Sequence, residues 1–186
     1  MLEERVIGNI LRDAWMERKS PNSNVRLRFQ QTSPKHDERF FYIFNFYALW
    51  CAGSAVLIKR LDKRSDSTRY VLYSRYAFST GYYDLFYVNG VKTIPNNISE
   101  YLTAVSLAFW IMDDGHKNGG LVLNTQGFTL SGNLLLVEAL NNNFGFHSYV
   151  RYESKLPVIY IPARDMVEVR KLVLRYMLPS THYKIL

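Results

Sequence analysis

The chain has 186 residues, 48% hydrophobic and 15% aromatic, enough apolar material for one folded domain or two very small ones, which excludes a disordered chain. Its 23 Lys and Arg exceed its 16 Asp and Glu, leaving a net charge of +7 that points to a polyanion partner, nucleic acid before membrane. The single cysteine, Cys51, excludes an internal disulfide and a cysteine-built zinc site, and no apolar stretch reaches the roughly 18 residues of a membrane span.

Taken in chain order, residues 3–14 read as an apolar helix. Their acids and apolar pattern do not read as a signal or transit peptide. The polar cluster at 20–24 reads as a turn. Residues 25–30 then alternate, with Val25, Leu27 and Phe29 on one face and Arg26, Arg28 and Gln30 on the other, the pattern of a half-buried strand with a cationic face. An aromatic-rich helix is expected over 35–50, its aromatics (Phe40, Phe41, Tyr42, Phe44, Phe46 and Tyr47) forming core. Strands are expected over 55–61 and 69–79, joined by a charged hairpin at 62–66. A helix over 83–88 should stop at Asn89-Gly90.

The second half opens at Pro95. Ser99 or Thr103 can cap a helix that runs to Asp114 and is ended by Gly115. A strand is expected over 120–126, followed by a helix over 131–144 ended by Gly145. Residues 147–153 and 158–161 read as a hairpin, with Pro157 at the start of its second strand. A last helix over 164–177 stops before Pro179. The halves therefore repeat, 1–97 and 98–186, as helix with acid, strands, then amphipathic helix, and such a repeat implies a pseudo-dimer within one chain.

Two stretches carry the chemistry: Val6-Ile7-Gly8-Asn9-Ile10-Leu11-Arg12-Asp13-Ala14 and Leu107-Ala108-Phe109-Trp110-Ile111-Met112-Asp113-Asp114-Gly115. Each is an apolar run with a small residue inside it that ends on a carboxylate. Burying a carboxylate is costly unless it is paired or coordinates a metal, and a helix C-terminus disfavours negative charge. Two such acids, Asp13 and Asp114, suffice to hold divalent metal against a phosphodiester, since hard Mg²⁺ takes carboxylate, water and phosphate oxygens. One helical step turns a side chain by about 100°, so Asp113 and Asp114 do not aim at one point. The small residues Gly8, Ala14, Ala108 and Gly115 let helix backbones approach closely. Ala14 would be strained if its position needs positive φ.

These residues resemble the LAGLIDADG homing endonucleases with two motifs in one short chain. Leu107, Ala108, Ile111, Asp114 and Gly115 match the second motif; Gly8, Ile10 and Asp13 match the first, where Ala14 replaces Gly and Arg12 is an untypical neighbour. Tyr83-Asp84-Leu85-Phe86-Tyr87, Ile94-Pro95 and the ending Leu178-Pro179-Ser180 with His182-Tyr183-Lys184-Ile185 are also similar to the family. The resemblance implies an α+β fold, a pseudo-twofold αββαββα repeat whose two antiparallel sheets form a DNA-facing saddle with helices behind. It implies a site-specific double-strand DNA endonuclease that acts as a monomer with Mg²⁺, one Asp per motif, encoded by a mobile intron of a mitochondrion or chloroplast. The alternative is a protein of the same fold without cleavage, binding structured RNA as a splicing factor or as part of an organellar ribonucleoprotein or ribosome.

Other residues are weighed beside that frame. Lys117 either neutralises charge developing on phosphorus or is a loop lysine; the family often has a lysine near there. Gln30 and Gln126, on the strand after each motif, would orient water or read base edges. Arg26, Arg28, Gln30, Lys59, Arg60, Arg69, Arg75 and Arg151 are the expected duplex contacts, because a two-stranded ribbon fits the major groove and Arg there reads guanine. Lysines on phosphate would add salt-dependent affinity without sequence information. The four histidines, His36, His116, His147 and His182, have no metal-ligand spacing.

Overall fold

The computed structural model describes residues 2–20, 23–48, 60–61, 68–73 and 79–186. In chain order these form α1 (Leu2–Ile10), β1 (Ala14–Glu17), β2 (Arg26–Ser33), α2 (Asp37–Tyr47), β3 (Arg60–Leu61), β4 (Thr68–Tyr73) and α3 (Ser79–Phe86). A hairpin of β5 (Tyr87–Val88) and β6 (Val91–Lys92) follows. Then come α4 (Ala104–Asp114), β7 (Gly115–Lys117), β8 (Leu121–Leu123), α5 (Leu130–Phe144), β9 (Tyr149–Glu153), β10 (Leu156–Ile161) and α6 (Met166–Val173). The order helix, two strands, helix, two strands, helix occurs twice. The sheets repeat it, one ordered β1-β2-β4-β3 and the other β7-β8-β10-β9, with antiparallel neighbours.

The chain divides into two compact units, Met1–Arg12 with Phe86–Leu186, and Asp13–Leu85. In the unit Asp13–Leu85, β1 and β2 pair from Ala14↔Phe29 to Glu17↔Arg26. The alternation expected over 25–30 holds, with Leu27 and Phe29 buried and Arg26, Arg28 and Gln30 half-buried, and β1, which was not expected, follows the same pattern with Ala14 and Met16 buried and Trp15 and Glu17 half-buried. Phe40, Ile43 and Tyr47 recur at helical spacing along the buried face of α2, and Phe40 stacks on Phe29 at 6.0 Å between ring centroids. Not every aromatic of this helix is core, since Phe41 on its opposite side is exposed.

In the unit Met1–Arg12 with Phe86–Leu186, α1 packs along α4. Val6, Ile7, Ile10 and Leu11 meet a helix buried almost throughout, from Val105 to Met112. A Cβ on Gly8 would stand 2.3 Å from the Ser106 carbonyl oxygen and 2.6 Å from Phe109 Cβ, so glycine is what lets the two backbones touch. Thr103 starts α4 through a capping box: the Ser106 amide donates to Thr103 Oγ1 at 3.3 Å, and the Thr103 amide donates to Ser106 Oγ at 2.7 Å. Behind the second sheet, α5 packs on β9 and β10 and ends at Gly145, whose φ of 69° is the left-handed conformation glycine adopts freely.

Several expected boundaries shift. The first helix ends at Ile10 rather than 14, because the Arg12 amide bonds the Asn9 carbonyl at 3.1 Å and tightens the last turn. Asp13 therefore lies in the turn after the helix, and Ala14 opens β1. Ala14 is absent from the residues with positive φ, and its counterpart Gly115 is extended at φ −71°, so the strain expected of an alanine there does not arise. At Gly115 the demand is for space, since a Cβ would lie 2.8 Å from the Ile111 carbonyl oxygen. Asn89-Gly90 does not stop a helix; with φ of 51° and 77° it is the two-residue turn between β5 and β6. The strand expected over 120–126 is confined to Leu121–Leu123, and β7 precedes it. The last helix is shorter than expected, with 3₁₀ turns at 163–165 and 174–176 flanking α6. Parts of the expected turn at 20–24 and of the strands over 55–61 and 69–79, the hairpin 62–66, and Cys51, Lys59 and Arg75 lie outside the described residues.

Candidate active site

Asp114 is the last residue of α4, 9% exposed, and sits where the helix presents its unpaired carbonyls. Uncompensated, the negative end of the helix dipole would repel it. Arg12, just past α1, supplies the compensation, with its Nε 2.8 Å from Asp114 Oδ2. Lys184 supplies more: its Nζ donates to the Met112 carbonyl at 2.8 Å and lies 3.4 Å from those of Ile111 and Asp113. The Asp114 carbonyl accepts from Asn124 Nδ2 at 2.8 Å, which ties the motif's end to the residue after β8. Asp113, one step round the helix, accepts instead from Nδ2 of the fully buried Asn9 at 2.9 Å. Asp114 is thus met by Arg12 and Asp113 by Asn9.

The untypical Arg12 of the first motif pairs with Asp114 of the second, and Asp113 of the second is bonded by Asn9 of the first. Both are polar ties across the α1–α4 contact, which the apolar residues alone would leave free to slide.

In the other unit, Asp13 Oδ2 accepts from Gln31 Nε2 at 2.5 Å. Sequence reasoning favoured Gln30, but residue 31 on β2 holds the acid. Gln30 lies at the register position of Val71. Gln126 lies beyond β8 rather than on it, its Nε2 3.3 Å from Asn124 Oδ1, so it is one bond removed from Asp114. Lys117 is exposed on β7, and its Nζ donates to the Leu186 carbonyl at 2.5 Å.

The basic residues proposed for a duplex have neighbours of their own. Arg26 holds Glu17 with Nε and Nη2 at 2.7 and 2.6 Å. The Arg28 guanidinium lies 4.5 Å from the Trp15 ring centroid. Arg151 pairs with Glu153 and stacks 4.6 Å from the Tyr160 ring centroid. Arg60 and Arg69 occupy one register position of β3 and β4. Ala108 is fully buried in α4.

Asn9, Gln31, Asn124, Lys92 and Lys184 were not singled out by sequence reasoning as site residues. Lys184 lay within the family-like ending, which was the available signal. Its removal has a defined cost. Lys184→Met should lower stability by about 1–2 kcal/mol, the worth of one charge-assisted hydrogen bond at a helix end, read as a fall in thermal midpoint of roughly 2–8 °C.

Among the described residues, no group of three or more His, Cys, Asp and Glu is placed to hold a metal ion. That pattern rules against a closed, all-protein cage there.

The chain is 32% identical to the "Probable intron-encoded endonuclease 1" of Wickerhamomyces canadensis, over 99% of this chain and 83% of that protein. It is 29% identical to the "Cytochrome b mRNA maturase bI2" of Debaryomyces hansenii, over 98% of this chain and 72% of that protein. Among solved structures, the homing endonuclease I-WcaI bound to its DNA recognition sequence matches with a TM-score of 0.80 and 31% identity, covering 100% of this chain and 85% of that one. A variant of the homing endonuclease I-DmoI, 13% identical with a TM-score of 0.59 over 94% of this chain and 95% of that one, shares the fold. The model of the LAGLIDADG DNA endonuclease family matches residues 4–169, and the chain belongs to that family.

Proposed function

We propose that this protein is a site-specific double-strand DNA endonuclease of the intron-homing type. It would act as a monomer in a mitochondrion or chloroplast, with the repeats 1–97 and 98–186 each supplying one motif. The observation that carries the reading is Asp114: a nearly buried carboxylate at the negative end of an apolar helix, kept there by Arg12 and Lys184. A structural role would be served as well by an uncharged residue.

Asp114 and Asp13 are the residues that would hold the metal. Mg²⁺ bound there would polarise a non-bridging phosphate oxygen, lower the pKa of a water and steady the leaving oxygen. The chain's own residues do the remaining work. Asn124 and Gln31 would fix the two motif ends, Lys184 would offset the charge at the end of α4, and Gln126, bonded to Asn124, and Gln30 on β2 are the proposed residues to orient water or read a base. Lys117 is the proposed cation for charge developing on phosphorus. Arg26, Arg28, Lys59, Arg60, Arg69, Arg75 and Arg151 would contact the duplex, adding base recognition to a salt-dependent hold on phosphate.

The maturase relative supports a second reading, an RNA-binding protein of this fold that assists splicing. Competition binding separates the two. In EDTA, a duplex selected from a randomised DNA library is expected to resist a tenfold excess of structured intron RNA. Displacement of the duplex by that RNA, with no preferred DNA sequence emerging, would move the assignment to the splicing role.

A further inference from the structure

Arg12 is the least expected residue of the first motif, and its surroundings suggest what it does. Its Nε lies 2.8 Å from Asp114 Oδ2 as an ion pair without hydrogen-bond alignment, and its side chain is 41% exposed. A guanidinium carries five N–H donors in a rigid fork, four of them on the two Nη groups. Among the described residues, Asp114 is the acid with which Arg12 forms an ion pair. The pair accounts for how Asp114 is held at the end of α4, and it is made through the Nε edge of a side chain whose other end reaches solvent. Two further cations gather at the same ends: Lys92 Nζ lies 3.2 Å from the Arg12 carbonyl oxygen, and Lys184 holds the last carbonyls of α4. Arg12, Lys92 and Lys184 therefore gather where α1 and α4 end.

We propose that Arg12 is a phosphate-binding residue of the nuclease: Asp114 grips its Nε edge and orients the fork, and the Nη groups take a non-bridging oxygen of the DNA backbone. A guanidinium suits this because it matches phosphate geometry with two parallel N–H bonds and is weakly hydrated. The proposal rests on the DNA-endonuclease reading above.

The test is the salt dependence of binding to the library-selected duplex in EDTA, where no turnover occurs, for wild type, Arg12→Met and Arg12→Lys. Arg12→Met should weaken binding about tenfold, the fold-change of one charge-assisted bond, and make the slope of log K against log salt shallower by about 0.9, one phosphate contact. Arg12→Lys should restore most of the slope, because the charge returns, and only part of the affinity, because the fork does not. Arg12→Met should also melt earlier than wild type, because Asp114 loses its cation, and Arg12→Lys should recover that loss, so the readout that separates a phosphate contact from a tie between helices is the salt slope. If wild type binds and cuts a selected duplex while Arg12→Met keeps the same slope and affinity, Arg12 is only a tie between helices and the proposal is wrong. If wild type selects no duplex at all, the endonuclease reading fails and takes this proposal with it.

Discussion

Asp114→Asn should reduce DNA cleavage by about three orders of magnitude while leaving the fold standing. The substitution keeps the shape and removes the charge. A metal-assisted phosphodiester hydrolysis loses several kcal/mol of transition-state stabilisation when a carboxylate ligand is lost, and each 1.36 kcal/mol is a factor of ten in rate. The structural cost is small by comparison. Arg12 is 41% exposed and can return to water, and removing a negative charge from the C-terminal end of α4 relieves the dipole repulsion. The net change in stability should lie within about 1 kcal/mol. Single-turnover rates and a thermal melt on the same preparation check both halves. A variant that cuts normally would show that Asp114 is a structural acid held by Arg12. Asp113→Asn provides the contrast, since its side chain answers to Asn9 and should leave the rate within a few-fold of wild type.

Gly8→Val should be the most damaging single change to the fold. The first branching carbon alone would meet the Ser106 carbonyl oxygen at 2.3 Å and Phe109 Cβ at 2.6 Å, and the first of these is backbone that cannot turn aside. The α1–α4 contact must open, which weakens the seam where Val6, Ile7, Ile10 and Leu11 are buried and displaces both polar ties, Asn9 to Asp113 and Arg12 to Asp114. Overpacking of a tight core costs about 1–3 kcal/mol, and a clash against backbone belongs at or beyond the top of that range. For a chain of this length, a loss of about 3 kcal/mol lowers the thermal midpoint by roughly 6–12 °C. Gly8→Ala should fall between the two, because a helix-propensity gain of about 1 kcal/mol offsets part of the same clash. A Gly8→Val protein that melts with wild type would mean that α1 and α4 do not meet at residue 8.

What could be read from the residues was local and periodic. The alternation at Val25, Leu27 and Phe29 placed β2, and Gly145 ended α5 where a left-handed cap was due. The paired small residue and acid in each motif disclosed the repeat, which the matching sheet orders restate in three dimensions. What could not be read was short or distant. β1 and β7 span only four and three residues, too few for a period to register; β7 follows α4 directly, and only residues 11–13 separate β1 from α1. Asn89-Gly90 carried a hairpin signal stronger than its helix-stop signal, and β5 and β6 were too short to support it. The polar ties of the site join residues about a hundred positions apart, Asn9 with Asp113 and Arg12 with Asp114, and no local rule pairs them. Gln31 was missed because strand alternation singled out residue 30 on the cationic face, whereas the position beside Asp13 is set by how the chain turns after α1.

Cleavage itself is the measurement that bears most directly on the assignment: a randomised duplex library incubated with Mg²⁺ and the intact protein, beside an EDTA control and the variants Asp13→Asn and Asp114→Asn. The expected result is a discrete site cut on both strands, lost in EDTA and lost in each variant. Absence of cutting by the intact protein, at concentrations where it binds the same library, would contradict the endonuclease account and leave a nucleic-acid-binding scaffold of the family.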